Sequence, residues 1–501
     1  MTQVSRRRFG AGATAFAGTL SLPGLSHAAT CQMPDWAVKL RADLERMAKD
    51  LTARLKPWKG PDLVVTPEDH GYTGGLATKA IQAAIDDVAA RGGGTVRLTK
   101  GDYVSGTIDL KSNIRFEVAK GARLLGSLDL NDYPERIAKR LTVQDTNMGM
   151  NQSLIFGEGL TNISICGDGE IDGRGSKENF PGLETIHGTP GRPFVIRIID
   201  CQKVHIRDIT LKDSPCWMQN YLNCDDLLIE HIKVENQANF NNDGLDIDGC
   251  RHVIVRHCYI SSGDDAMCFK GAAQSPGENI LVEHSTFFTS CNAVKLGTDS
   301  QSTFRNVFVR HCLIGGVSED MRRVKVVGAD SGVAWKMVDG GTAENLLVSD
   351  VKIIRARSPI FMRLEKRGRV KPGDPPAPIG TLRRVVFERI TGENCGPRGS
   401  YFIGIPEKSI EDVVIRDFKV AQNPSTKTVL VETAIGEMYG AYPDPHMIDG
   451  IGDAPAYGLW ARHITGLTLI DYKVTPAGAD PRPEYVIKTN ARKTKISGVC
   501  L

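Results

Sequence analysis

The sequence predicts an all-β fold, a right-handed parallel β-helix with short N-terminal helices capping one end. Three observations predict it. From residue 160 onward one phrase recurs: a polar residue, an apolar-x-apolar strand, two or three polar residues, then a second short apolar strand. Ile163, Val204, Leu227, Val253, Ile280, Val307, Leu346, Val385 and Val413 each open one copy. From Val204 the first intervals are 23, 26, 27 and 27 residues, and later ones lengthen to 39, where loops would be inserted. That is the period of one β-helix coil, and it is too irregular for leucine-rich or helical repeats. Composition agrees: 52 glycines and only 6% aromatics suit many short strands joined by turns. The Asn-Gly-type hairpin turns that a β-sandwich needs are scarce. Residues one period apart then become vertical neighbours, about 4.8 Å apart.

The elements follow in order. Arg6-Arg7-Arg8-Phe9, a mildly apolar stretch through Leu22 and the small-x-Ala site Ser26-His27-Ala28 read as a twin-arginine-type signal peptide over 1–28. The mature protein is expected in the periplasm or medium, with the twin-arginine machinery as export partner. Residues 29–60 form an N-terminal helical segment, its amphipathic helix running from Asp35 to Leu55 and broken by Pro57 and Pro61. A second helix, Thr78 to Arg91, ends at Gly92-Gly93-Gly94 and is expected to cap the open end of the solenoid. Strands Thr95–Leu98 and Ile114–Val118 open a single β-helix domain over 61–501. No later segment is long and apolar enough to span a membrane.

Charge excludes some functions. With 62 Lys and Arg against 59 Asp and Glu the net charge is only +3, which argues against nucleic acid as a partner. Of the 12 cysteines only Cys31 precedes residue 160, and the others punctuate strand segments at coil-length intervals. Most are read as small buried hydrophobes, with one or two bridges left open. No Cys or His cluster has metal-site spacing, so neither a metal nor another cofactor is expected.

Three segments align on their apolar alternation: Asn241 to Ile247, Ser262 to Phe269 and Ser290 to Gly297. Leu245 and Ile247, Met267 and Phe269, and Val294 and Leu296 point inward as ladders. Gly244, Ala266 and Ala293 are then a floor of small residues, with Asp246, Cys268 and Lys295 beside it. The carboxylates Asp243, Asp264 and Asp265 sit at the strand starts. Asp264 and Asp265 lie 21 and 22 residues after Asp243, so the three fall on neighbouring coils. Glycoside hydrolysis needs a protonated acid for the leaving oxygen and a carboxylate to activate water, about 6.5 to 9.5 Å apart in an inverting enzyme. Repulsion between Asp264 and Asp265 would raise one pKa and keep an acid available. A single Asp is more often a turn residue, but three beside one floor point to catalysis.

At these residues the sequence resembles the polygalacturonase family, glycoside hydrolase family 28. Asn241-Asn242-Asp243-Gly244-Leu245-Asp246 looks like its Asn-Thr-Asp-Gly-x-Asp motif, and Gly263-Asp264-Asp265 like its Asp-Asp motif. Gly167 to Gly173 and Ser214 to Trp217 extend the resemblance along most of the chain. It implies Asp264 as general acid, with Asp243 and Asp265 holding the attacking water. Two departures stand out. Asn292 takes the place of the family's His, with Lys295 where a small polar residue is usual, and Ala334-Trp335-Lys336 takes the place of Arg-Ile-Lys. The expected activity is inverting hydrolysis of a pectin-like or other uronate-containing glycan. Asn241, Asp246, Lys270, Asn292, Lys295, Trp335 and Lys336 are the expected substrate-binding residues. Lys270, Lys295, Lys336 and Arg363 are candidates to pair with a uronate carboxylate, and Trp217 and Trp335 to stack on sugar faces or cover the coil.

Two alternatives stay open. One is a polysaccharide lyase on the same fold, with Lys295 as base of a β-elimination. The other is a non-catalytic glycan-binding solenoid, against which the retained aspartates speak. Lys295 should either neutralise Asp246, its neighbour two coils away, or grip an anionic sugar. Long inserts after Gly316 and from Glu365 to Pro378 suggest a walled cleft and attack at a chain end or side chain.

Overall fold

A computed structural model describes residues 32–142, 151–182, 191–317, 328–440, 442–446, 451–488 and 496–500. The expected signal peptide, residues 1–28, lies outside the described residues, as does most of the insert after Gly316. Met33–Leu501 forms one compact unit.

Its strands wind as a parallel β-helix. Each coil contributes one strand to a sheet of twelve strands, running in coil order from Ile108–Asp109 through Leu245–Asp248, Met267–Lys270, Asn292–Leu296 and Ala329–Met337 to Tyr485–Lys488. The other strands line the remaining two faces, and every ladder between neighbouring coils is parallel. Parallel crossovers of this kind are right-handed. From Thr342 onward the two faces are joined by single bent strands of 13 to 15 residues, as in Thr342–Ile354 and Thr381–Cys395.

The recurring phrase has a backbone cause. The polar residue opening each copy is a corner in the left-handed region: Asn162, Lys203, Asp226, His252, Asn279, Asn306, Asn345, Arg384 and Asp412 all have φ between 50° and 61°. Of the residues with a side chain, Asn and Asp enter this region most readily, and the Asn amides bond along the stack, Asn306 donating to Asn279 at 2.9 Å and Asn345 to Asn306 at 3.1 Å. The next residue turns inward, so that Val204, Leu227, Val253, Ile280 and Val307 stack as one buried column.

Of the two α-helices among the described residues, α2 (Thr78–Ala90) packs on the first coil and caps it as expected. Helix α1 (Asp35–Arg54) caps nothing, which corrects the reading of both helices as end caps. It lies along the flank. Its buried residues Ala37, Leu40, Leu44, Ala48 and Leu51 cover an outward apolar column of Leu228, Ile254, Leu281, Phe308, Leu347, Val386 and Val414. The lengths match: 20 helical residues span about 30 Å, and six coil rises about 29 Å. Ion pairs fix its direction, with Arg41 on Glu388, Glu45 on Arg310 and Arg54 on Asp226.

All ten cysteines from Cys166 to Cys395 are free thiols, and all but Cys291 are buried. No helix among the described residues is long and apolar enough to cross a membrane.

Candidate active site

The twelve-stranded sheet carries the site. Its register stacks Leu245 on Met267 on Val294 and Ile247 on Phe269 on Leu296 in the core, with Asp246, Cys268 and Lys295 forming the outward column between them. The small-residue floor is not there. Ala266 and Ala293 belong to the interior core, and a Cβ on Gly244 would stand 2.4 Å from Ile260 Cγ2. Strict alternation fails at these strand starts because the chain is still turning into the sheet.

Asp243, Asp264 and Asp265 come together where the coils enter the sheet. Asn236 Nδ2 donates to the Asp243 carbonyl at 2.9 Å, and Gly244 N to the Asp265 carbonyl at 2.8 Å. The Asp264 carbonyl accepts from Ser262 Oγ at 2.6 Å and from Thr289 Oγ1, and Asp264 Oδ1 accepts from Asp265 N at 2.8 Å. Asp243 and Asp265 are buried, while Asp264 keeps partial exposure.

Three lysines reach this cluster. Lys270 Nζ lies 3.3 Å from Asp246 Oδ1, 3.6 Å from Asp243 Oδ2 and 4.2 Å from the Trp217 ring centre. Lys295 Nζ donates to Asp265 Oδ2 at 2.6 Å. Lys336 Nζ pairs with Asp444 and reaches Asn292 Oδ1 at 3.3 Å. Asn292 Nδ2 in turn donates to Asp265 Oδ1 at 2.7 Å and to Asp444 Oδ1 at 3.3 Å. Lys295 therefore stands on the Asp246 column, as expected, but its partner is Asp265; Lys270 is the neutraliser of Asp246.

These contacts split the carboxyl pKa values. Burial first, then the Asp265 charge, raises Asp264. Burial, with the charges of Asp246 and Asp264, holds Asp243 well above the carboxylate range, and burial pushes Asp246 up to about 7 against the pull of Lys270. At Asp265 burial is outweighed by Lys295, Lys336 and Lys270, which hold it below its ordinary value. The two adjacent carboxyls are thus displaced in opposite directions, Asp265 toward its ionised form and the more accessible Asp264 toward its protonated one. Burial lowers Lys295, but Asp265 together with Tyr442, Cys268 and Cys291 outweighs it and holds Lys295 well above its ordinary value, so it is not poised as a base. Burial and the Lys295 charge pull Lys336 down to about 7, against the charge of Asp265.

Other expected residues are placed differently. Trp335 is fully buried in the interior core, stacked on Leu296, and cannot meet a sugar; it has the inward parity of Leu296, whereas Lys336 has the outward one. Trp217 packs edge-on against Phe194 beneath Lys270. Arg363 is 1% exposed and is taken by Glu365 and the Met438 carbonyl. Asn241 holds φ of 51° and accepts from Arg192 at 2.9 Å. Oxygens of Asp264 and Asp265 and the Cys291 sulfur lie within 4.8 Å of one another. Both Asp265 oxygens are already bonded, and burial raises the Cys291 thiol, so the trio is poorly suited to a cation.

A family model described as Glycosyl hydrolases family 28 matches residues 101–434. The chain belongs to this family. A probable polygalacturonase from Vitis vinifera is 29% identical over 251 residues, 46% of this chain and 50% of that protein. The chain spans about half the length of the curated relatives it matches. Among solved structures, an exopolygalacturonase from Thermotoga maritima superposes with a TM-score of 0.64 at 18% identity, covering 85% of this chain and 96% of that one. A family 28 exopolygalacturonase from Yersinia enterocolitica gives 0.60 at 17% identity, covering 87% and 80%. At such identities the likeness establishes the fold.

Sequence reasoning missed the residues that reach the acidic cluster from outside the coils. Between Ile410–Gln422 and Leu459–Arg462 the chain makes a long insert that packs Ile435, Ile451, Ala454 and Ala456 onto Ala334, Phe361, Tyr401 and Trp460. Those partners continue the outward column of Lys295. Asp444 comes from this insert, as does His446, whose Nδ1 lies 2.8 Å from Asp330 Oδ2. The one available signal was the column itself, which turns apolar after Lys295 and so needs a cover.

Proposed function

We propose that the protein is an exported glycoside hydrolase that cleaves a pectin-like glycan by inverting acid/base catalysis, with Asp264 as acid and Asp265 as base. The observation that carries this reading is the opposite displacement of two adjacent carboxyl pKa values, Asp264 up and Asp265 down. Asp264 protonates the glycosidic oxygen as the bond to the anomeric carbon breaks. Asp265 removes a proton from the attacking water, and Asp243, protonated, orients that water by a hydrogen bond. Family membership and the curated polygalacturonase relatives support the substrate class. The insert that covers the apolar half of the outward column supports attack at a chain end or side chain, since it blocks one direction along the sheet. Lys295, ion-paired and held as ammonium, speaks against the elimination reading.

Asp264→Asn keeps the shape but cannot deliver a proton, so turnover should fall by ~10²-fold or more with the fold retained. Turnover on pectic oligosaccharides, measured with thermal melts as the folding control, decides it; a variant keeping more than about a tenth of normal activity removes Asp264 from the acid role.

A further inference from the structure

We propose that Asp444 determines the charge of the sugar this pocket accepts: it occupies Lys336 in place of a substrate carboxylate, so that the sugar seated beside Lys336 is uncharged. The proposal deepens the hydrolase reading above and rests on it for the identity of the site. Lys270, Lys295 and Lys336 bring three amine side chains to the cluster, and each has a carboxylate partner. For Lys270 and Lys295 those partners, Asp246, Asp243 and Asp265, lie on the coils themselves. Lys336 differs. Its counter-charge arrives on the insert, 108 residues further along the chain.

The seat is a built one. Lys336 is 0% and Asp444 3% exposed, and the Asn292 carboxamide links Asp444 to Asp265, receiving the Lys336 ammonium on its oxygen. A uronate carboxylate approaching Lys336 meets a position already filled and, behind it, the ionised Asp265; it must displace a buried anion or lie beside one. A hydroxyl carries no such penalty, and it can donate to Asp444. The insert therefore converts a cation that would select acidic sugars into a neutral pair that selects against them. Within a pectin-like substrate this directs the enzyme to its uncharged units.

The test is equilibrium binding, by calorimetry, of trigalacturonate and its carboxyl-reduced counterpart. Wild type is predicted to bind the reduced probe more tightly. Asp444→Asn frees Lys336 and should improve binding of the acidic probe by about tenfold, the worth of one charge-assisted bond, with far less effect on the reduced probe. The double variant Lys336→Met, Asp444→Asn should lose that gain. If Asp444→Asn does not fold, Lys336→Met alone leaves Asp444 unneutralised and should widen the preference for the reduced probe. Tighter binding of the acidic probe by wild type, equal losses on both probes in Asp444→Asn, a narrowed gap in Lys336→Met, or no binding of either probe overturns the proposal. Because binding is read separately from cleavage, a shifted binding ratio without saturated reducing ends would sink the hydrolase reading and leave the role of Asp444 standing.

Discussion

Lys295 donates to Asp265 and Lys270 faces Asp246, and this exchange of partners decides which carboxylate in the cluster is ionised. Asp265 is held low in the folded protein, so its charged form persists as pH falls below the usual carboxylate range, and activity should persist with it. Asp264 is raised, so activity should fall as pH rises through its elevated value, on the alkaline side of an ordinary Asp. Lys295 is the largest of the charges that lower Asp265. In Lys295→Met the Asp265 pKa must rise, and the acid limb of kcat/KM should move to higher pH while the alkaline limb stays nearer its place. A pH profile with an unmoved acid limb would show that Lys295 does not set the state of the base. The three aspartates were legible in the sequence because a coil-length offset places them on neighbouring coils without reference to anything distant. Trp335 was misplaced by matching a motif when parity with Leu296 already put it inside. Asp444 left no local trace, being 152 residues from Asn292 and brought back by an insert with no period.

Helix α1 shows the same contrast at the scale of the element. Its amphipathic pattern was plain in the sequence, but a pattern names a buried face and not the surface that buries it. The missing half was present in the repeats: the middle residue of each strand phrase is Ser164 or His205 in early coils and apolar from Leu228 to Val414, over the seven coils that α1 covers. Strands with both faces apolar need a cover on each. Leu44, 1% exposed, sits midway along that cover. Leu44→Ala should cost about 2 to 4 kcal/mol, read from the urea midpoint, because the rigid column beneath cannot collapse into the space. A loss under about 0.5 kcal/mol, the range of a surface substitution, would mean that α1 is only loosely laid on the flank.

At the scale of the whole molecule, one outward column divides the twelve-stranded sheet into two regions. Asp246, Cys268 and Lys295 make the polar part where the acids gather, and Ala334, Phe361, Tyr401 and Trp460 make an apolar part that the insert covers. The solenoid thus supplies both the acidic cluster and the seat for the insert that packs beside it. The central claim, that Asp264 and Asp265 act as acid and base in a single displacement, is tested most directly by proton NMR of the first products from pectic oligosaccharides, recorded before mutarotation. The account predicts saturated products with the anomeric configuration inverted relative to the substrate. Retained configuration, or a sugar carrying a new double bond, would contradict it.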